Sequence, residues 1–466
     1  MFWAVVARGG RRVGILRYAS SHKTSRWTAD LQTGIVSSSS SSSYNDNQIF
    51  QTIIGLEIHA QLDIATKLFS GCPVAGGGGG GGGGTTGTTM HSRPNTHVWP
   101  LDVAVPGFLP RLSRQAVQAA VLSAAALQCT IPPLSRFERK HYYYADIPLG
   151  YQMTQQRWPI AIDGTLSCQR SSRSDHHHPN PQTGSMNQVS KKKNNHTVSS
   201  SSSSISSSTD RSRQGHFTVG IERIQLEQDT GKTILRTRLD ETESWVDFNR
   251  AGSALIEIVL RPDLRSAHDA VLAVETLRNL LRHIGTCDGK MEEGSFRCDL
   301  NISIAPYDAQ NDTIHTTTNN NNNNDDGDDG EEKWDTNLLS LAGNRVEVKN
   351  LNSLRQILLA AQYEAERQAE AVVHGKPTQQ ETRTFDVRTG TTVLIRSKEG
   401  AKDYRFMPEP DLPPIILDSE VGFCCLVQCV FVFVCQCQRV FLLECIHIYI
   451  YTSRLSARKS NDMEKK

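Results

Sequence analysis

Polar and apolar residues alternate with a period of two through several short stretches of this chain, and the polar set repeatedly carries acids or an imidazole. In Ile54–Leu62 the even positions Leu56, Ile58, Ala60 and Leu62 are apolar, while Glu57, His59 and Gln61 occupy the odd ones. A β-strand projects residues i and i+2 to the same side, so Glu57 and His59 share a face. Arg297, Asp299, Asn301 and Ser303 alternate in the same way with Cys298, Leu300, Ile302 and Ile304. Arg345, Glu347 and Lys349 alternate with Val346 and Val348, and Glu227 pairs with Asp229 at the end of another such stretch. The pattern predicts strands at 50–62, 217–229, 245–248, 254–260, 297–304, 345–349 and 392–396.

Helical spacing appears three times. Val117, Ala120, Val121, Ala124 and Leu127 line one face of Ser113–Leu127. Ser266 and Asp269 read as a capping box before Val271, Val274, Leu277, Leu281 and Ile284, with Gly285 as the stop. Ser353 and Gln356 cap a third helix that buries Leu354, Ile357, Leu358 and Ala361 and ends near Gly375. Strands and helices interleave without a βαβ rhythm. An α+β fold follows, a mostly antiparallel sheet with packed helices.

Between these elements lie tracts that bury little. Ser37–Ser43, Gly76–Gly84, the serines of 199–208 and Asn319–Asn324 with its acidic sequel are read as linkers or insertions. They divide the chain into a leader and Ser-rich linker at 1–47, a central body at 48–417 with insertions near 76–90, 170–216 and 308–335, and a Cys/Val/Phe-rich C-terminus at 418–466. They also explain a hydrophobic content of only 38%. Residues 1–29 hold Arg8, Arg11, Arg12, Arg17, Lys23 and Arg26 with no acid before Asp30, the composition of an organellar transit peptide. Mitochondrial matrix is the expected destination, with a plastid as the alternative.

The net charge of +1 names no partner, so any nucleic-acid affinity must come from local patches. Of eleven cysteines, six crowd into Cys424–Cys445, and the body of the chain has no C-x-x-C pair for a structural zinc. Within the Cys/Val/Phe-rich run Val421–Tyr451, the cleanest apolar stretch, Val421–Cys435, is shorter than the ~20 residues that span a bilayer, so no stable membrane association is expected.

The chemistry lies in the alternating segments. Carboxylates that converge in one cleft need a counter-ion, and oxygen ligands with one imidazole suit Mg²⁺ or Mn²⁺ holding phosphates. Glu257 stands in the apolar strand Ala254–Leu260, where an ionised acid needs either a cation site or an ion pair with Arg250 or Arg261. Asp229-Thr-Gly-Lys-Thr233 ends like a P-loop, but Leu226 occupies the position that requires the first glycine. Phosphate must then be handled by metal and side chains. Phe137–Gln152 places cations and tyrosines in one loop, a composition suited to a nucleotide or a flexible RNA end, or to simple tyrosine packing.

These segments together resemble a known family. Ile54-Gly-Leu-Glu-Ile-His59, Arg139-Lys-His-Tyr-Tyr-Tyr144 with Gly150-Tyr-Gln152, Leu226–Lys232, Asp247–Gly252, Met291–Asp299, Glu347–Ser353 and Asp403–Asp411 are similar, in order, to motifs of the B subunit of glutamyl-tRNA(Gln)/aspartyl-tRNA(Asn) amidotransferase. The similarity runs from about 50 to 417, and the cysteine-free Pro94–Asp102 resembles the organellar members. The resemblance implies a glutamine-synthetase-like cradle that uses ATP and Mg²⁺ to phosphorylate the side-chain carboxylate of glutamate mischarged on tRNA(Gln). Ammonia from an amidase A subunit then displaces the phosphate, and a small C-type subunit completes a heterotrimer. It implies catalytic and metal-ligating roles for Glu57, His59, Glu227, Glu257 and Glu347, and nucleotide contacts from Arg139, Lys140, Tyr144, Lys232 and Arg297. The acid that many members carry after Glu227 is Gln228 here, which alternation points to the opposite face. Past Pro414 the family's helical and tail domains are expected to be missing. Two rival readings stand beside this one: a carboxylate–amine ligase acting on a free small acid, and a non-catalytic truncated remnant.

Overall fold

The computed structural model describes residues 27–38, 49–75, 93–170, 215–238, 241–308, 313–314, 344–374, 376, 378–397 and 404–417. Residues 1–26 and 39–48 of the leader and linker, the Gly76–Gly84 run, the interiors of the three insertions, Gly375 and the 418–466 segment lie outside them, while 27–38 are described. Among the described residues the strands in chain order are β1 (Trp27–Ala29), β2 (Ile35–Ser38), β3 (Phe50–Gln61), β4 (Leu134–Ser135), β5 (Glu138–His141) and β6 (Tyr151–Thr154). They continue as β7 (Ala161–Gln169), β8 (His216–Gln228), β9 (Lys232–Arg238), β10 (Glu241–Asp247), β11 (Ala254–Leu260) and β12 (Phe296–Asp308). The last are β13 (Thr313–Ile314), β14 (Val346–Leu351), β15 (Glu381–Asp386), β16 (Thr391–Ser397), β17 (Met407–Pro408) and β18 (Ile415–Ile416).

Eleven of these strands form one sheet whose main path runs β16-β15-β14-β12-β3-β11-β8-β7. Every pair on that path is antiparallel except β14–β15. The alternating apolar set builds one face. Leu56, Ile58, Leu300, Ile302, Ile256, Leu226, Val346 and Val348 are all buried. Burying side chains of this size contributes roughly 1.5–3 kcal/mol each.

Three helices cover that face: α1 (Arg114–Ala126), α2 (Ala267–His283) and α3 (Leu354–Val373). Two of their N-caps, Ser266 and Ser353, are the residues the sequence pattern singled out, and Ser113 caps the first helix in the same way. The Ser113, Ser266 and Ser353 side chains accept from the backbone N–H of Ala116, Asp269 and Gln356. Such a cap is worth about 1 kcal/mol because it satisfies one of the orphan donors of the first turn. α2 and α3 pack on each other, and Ala360, Ala361, Ala365 and Ala369 of α3 are fully buried.

Because the helices occupy one side, the polar members of β3, β8, β11, β12 and β14 are left on the other. A small sheet, β17-β5-β6, packs beside β8 there. It corrects one expectation. The 137–152 segment is a hairpin, with β5 and β6 paired from Glu138↔Thr154 to His141↔Tyr151, and only its tip is a loop. Among the described residues, no helix is long and apolar enough to cross a membrane.

Candidate functional site

Register brings the acids together. Glu257 on β11 lies opposite His59 on β3, and Leu255, two residues before it, lies opposite Glu227 on β8. On the other flank Asp299 lies opposite Glu57 and Arg297 opposite His59. One face of four adjacent strands therefore carries Glu227, Glu257, Glu57, His59, Arg297 and Asp299. Ligand atoms of His59, Glu227 and Glu257 all lie within 4.8 Å of one another, and so do those of Glu57, His59 and Asp299. His59 is shared by both triads. Its Nε2 stands 3.4 Å from Glu57 Oε1 and 4.0 Å from Asp299 Oδ2.

Amide side chains fix the carboxylates. Gln152 Nε2 donates to Glu227 Oε1 at 2.6 Å, and Gln225 Nε2 donates to Glu257 Oε2 at 2.9 Å. The remaining Glu227 oxygen, Oε2, is buried without a hydrogen-bond partner among the described residues. A buried carboxylate oxygen without a donor is costly, and its residue stands at ligating range of an imidazole and a second carboxylate. The two triads hold four carboxylates and one imidazole, a set dominated by hard oxygen donors that suits Mg²⁺ or Mn²⁺. The residues present fit a divalent cation.

The electrostatics show the same crowding. Burial alone would raise Glu57, but the hydrogen bond and charge of His59, with the charge of Lys349, hold it below the usual carboxylate range. Burial disfavours the His59 cation, yet the bond to Glu57 and the charges of Glu257, Asp299 and Glu57 raise it to about 9. Burial and the charges of Glu57 and Glu227 push Glu257 up to about 8, against His59 and Lys140. Both shifts favour a charged imidazole beside a protonated Glu257, which limits the repulsion within the cluster. Ligands must shed such protons to hold a metal.

The family model described as the GatB/GatE catalytic domain matches residues 52–422, which include every strand of the carboxylate face. The chain belongs to this family. It is 40% identical over 383 residues, 80% of its length, to the B subunit of the mitochondrial glutamyl-tRNA(Gln) amidotransferase of Phytophthora infestans. To the corresponding chloroplastic/mitochondrial protein of Ostreococcus tauri it is 39% identical over 79% of its length. To the B subunit of the aspartyl/glutamyl-tRNA(Asn/Gln) amidotransferase of Thermomicrobium roseum it is 37% identical over 80%. It spans 62%, 55% and 59% of those relatives' own lengths.

Of the ten residues singled out from the sequence, six meet at this face. Glu57, His59, Glu227 and Glu257 form its centre, and Arg297 and Lys140 border it. Arg297 donates to both oxygens of Asp229 at 3.1 and 3.2 Å. Lys140 lies 5.3 Å above the Tyr404 ring, and the charges of Glu227, Glu257 and Glu57 raise its pKa against the opposing effect of burial.

Four do not join the cluster. Glu347 stands one strand beyond Asp299, where Lys349 Nζ meets its carboxylate at 2.7 Å and Thr382 donates to it at 3.1 Å. Arg139 is the strand neighbour of Lys140 and so points the other way. It makes a two-pronged bond to Glu409, both contacts 2.7 Å, with Asp411 at 3.1 Å. Tyr144 is exposed at the hairpin tip, edge-on to Tyr142. Lys232 is exposed at the start of β9, opposite Asp247 in the separate β9–β10 ribbon.

Asp299 is the ligand-range acid that the family-based set omitted, although its alternation with Arg297 had placed it on the floor. Gln152 and Gln225 were not singled out. Nothing local marks an amide as the clamp of an acid 75 residues away, as for Gln152, or 32 residues away on the neighbouring strand, as for Gln225. Gln228 follows its alternation. It lines a separate small cavity with Phe69, Leu101, Ile147 and Asp229, and does not belong to either triad.

Proposed function

We propose that the chain is the phosphorylating B subunit of an organellar glutamyl-tRNA(Gln) amidotransferase, with a glutamine-synthetase-like cradle as its floor. The observation that carries this reading is the His59–Glu227–Glu257 triad with its orphaned Glu227 oxygen, inside a chain of the GatB/GatE family. Glu57, His59, Glu227 and Glu257 would hold Mg²⁺, with Asp299 within reach of the same imidazole. Bound there, Mg²⁺ neutralises charge on the phosphates of ATP.

The chain's own residues do the rest by position and charge. Lys140 and Arg297 flank the acids and supply fixed positive charge for phosphate oxygens. The glutamate carboxylate on the tRNA attacks the γ-phosphorus of ATP, and ADP departs. Ammonia adds to the resulting acyl phosphate and inorganic phosphate leaves, giving the amide. Phosphorylation is needed because a carboxylate is a poor electrophile for ammonia. Neither step needs a nucleophilic side chain from this subunit. The ammonia comes from an amidase A subunit, with a small C-type subunit completing the heterotrimer. The mitochondrial and plastid names of the relatives, with the Arg-rich leader, support action in an organelle, and we assign the mitochondrial matrix.

Reconstitution tests the reading. The full chain with an amidase partner should transfer the γ-phosphate of ATP to Glu-tRNA(Gln) and convert it to Gln-tRNA(Gln), with ammonium chloride able to replace glutamine. The chain alone should release no ammonia from glutamine. Equal ATP turnover with free glutamate, independent of tRNA, would favour a small-acid ligase instead.

A further inference from the structure

Two residues near the hairpin tip, Tyr142 and Gln152, meet the floor. Gln152 on β6 is buried, and its amide is nearly saturated. Nε2 donates to Glu227 Oε1 at 2.6 Å and to the Gln228 carbonyl at 2.7 Å, while Oε1 accepts from the Tyr142 hydroxyl at 2.9 Å. The sense of the amide follows from its neighbours. A carboxylate and a carbonyl can only accept, so both must face the nitrogen, and the tyrosine must donate to the oxygen. Burial and the charges of Glu227, Asp146 and Asp229 keep the Tyr142 hydroxyl protonated.

We propose that Tyr142 and Gln152 are positioning residues for the cation: together they lock one oxygen of Glu227 and leave the other free to ligate beside His59 and Glu257. Glu227 has one oxygen held and one unpartnered, both in the same buried face. The unpartnered oxygen belongs to a residue within ligating range of His59 and Glu257. Among the described residues, the Gln152 amide bonds only to Glu227, to the adjoining Gln228 backbone and to the tyrosine that orients it. Without the tyrosine hydroxyl the amide can flip and set a carbonyl oxygen against the carboxylate. Without the amide, Glu227 can rotate and pair with another donor. Partners that orient a metal ligand in this way typically contribute 10–100-fold in affinity.

The inference rests on the cation site assigned above, and Mn²⁺ titration separates the two. Calorimetry on the full chain, with Mn²⁺ alone as the probe, is compared for wild type, Gln152→Met and Tyr142→Phe. Methionine keeps the volume of glutamine and removes both donors. Gln152→Met should weaken Mn²⁺ by about 10–100-fold and Tyr142→Phe by about tenfold, the lower end of that range. Thermal melting with EDTA present monitors the fold. A merely structural role would lower the melting midpoint and leave the Kd of the folded protein unchanged. A wild-type Kd in folded Gln152→Met overturns the proposal. If that variant does not fold, a wild-type Kd in Tyr142→Phe overturns it, and a tenfold loss supports it. No Mn²⁺ binding by the wild type would instead overturn the cation site itself.

Discussion

The two flanks of the carboxylate face solve one electrostatic problem in different ways. On the β3–β11–β8 flank, Glu57, Glu227 and Glu257 surround a single imidazole, and one buried carboxylate oxygen has no donor among the described residues. On the β12–β14 flank, Lys349 Nζ bridges Asp299 at 2.9 Å and Glu347 at 2.7 Å, and the Asn350 N–H donates to Asp299 at 2.8 Å. The second flank pairs both of its acids with one lysine; on the first, in the function proposed above, a divalent cation would add to the charge of His59 and Lys140. Acids on a shared face therefore do not by themselves mark a ligand set. What distinguishes the two flanks is the buried Glu227 oxygen that has no donor among the described residues, whereas Glu347 and Asp299 share an ammonium.

The largest effect expected from breaking this contrast is at the shared imidazole. His59→Ala should remove Mn²⁺ binding in calorimetry, exceeding the ~10–100-fold cost of losing an outer partner, while far-UV circular dichroism stays native. The apolar face of β3 is untouched by the change. Glu257→Gln should weaken Mn²⁺ strongly as well, whereas Glu347→Gln, on the self-neutralised flank, should change it less than about threefold, roughly 0.7 kcal/mol. Equal losses in the two variants would erase the distinction between the flanks.

Lys349→Met sharpens the contrast from the other side. It leaves Asp299 and Glu347 facing each other without their ammonium, and should lower stability by about 1–3 kcal/mol in urea titration. A shift in urea midpoint with an unaltered m-value is the expected signature. The smallest effect belongs to Lys232→Ala. The residue is exposed on the β9–β10 ribbon, so stability should change by less than about 0.5 kcal/mol, and the KM for ATP should not move.

Much of this floor was legible because a strand has a period of two. The apolar set Leu56, Ile58 and Ala60 dictated which way Glu57 and His59 point, and the same logic sent Gln228 away from Glu227. The serine caps of α2 and α3 were equally local. Pairing was not legible. Nothing near Glu347 says that Lys349, on its own face two residues away, turns toward it and not toward solvent or phosphate. Arg139 and Lys140 read alike as loop cations, and only the pairing of 138–141 as a strand separates them. That strand exists because β6 and β17 lie beside it, the latter more than 260 residues later in the chain. A partner so distant leaves no trace in a window of ten residues. Gln152 was hidden for the same reason.

The layout of the sheet explains why the carboxylate floor and the serine-rich insertion between β7 and β8 coexist. β7 and β8 pair from Ala161↔Ile224 out to Gln169↔His216, and the chain leaves the described sheet at Arg170 and re-enters at Gly215. Glu227 stands at the opposite end of β8, roughly 35 Å from His216 at the usual rise of a strand. Length added at that remote corner enters the thermodynamics only through loop closure. That cost grows with the logarithm of the added length, about 0.6 kcal/mol for each doubling. The hairpin that bears the serine-rich insertion and the strand end that bears Glu227 are thus as far apart as β8 allows, so length added between Arg170 and Gly215 leaves the carboxylate face undisturbed.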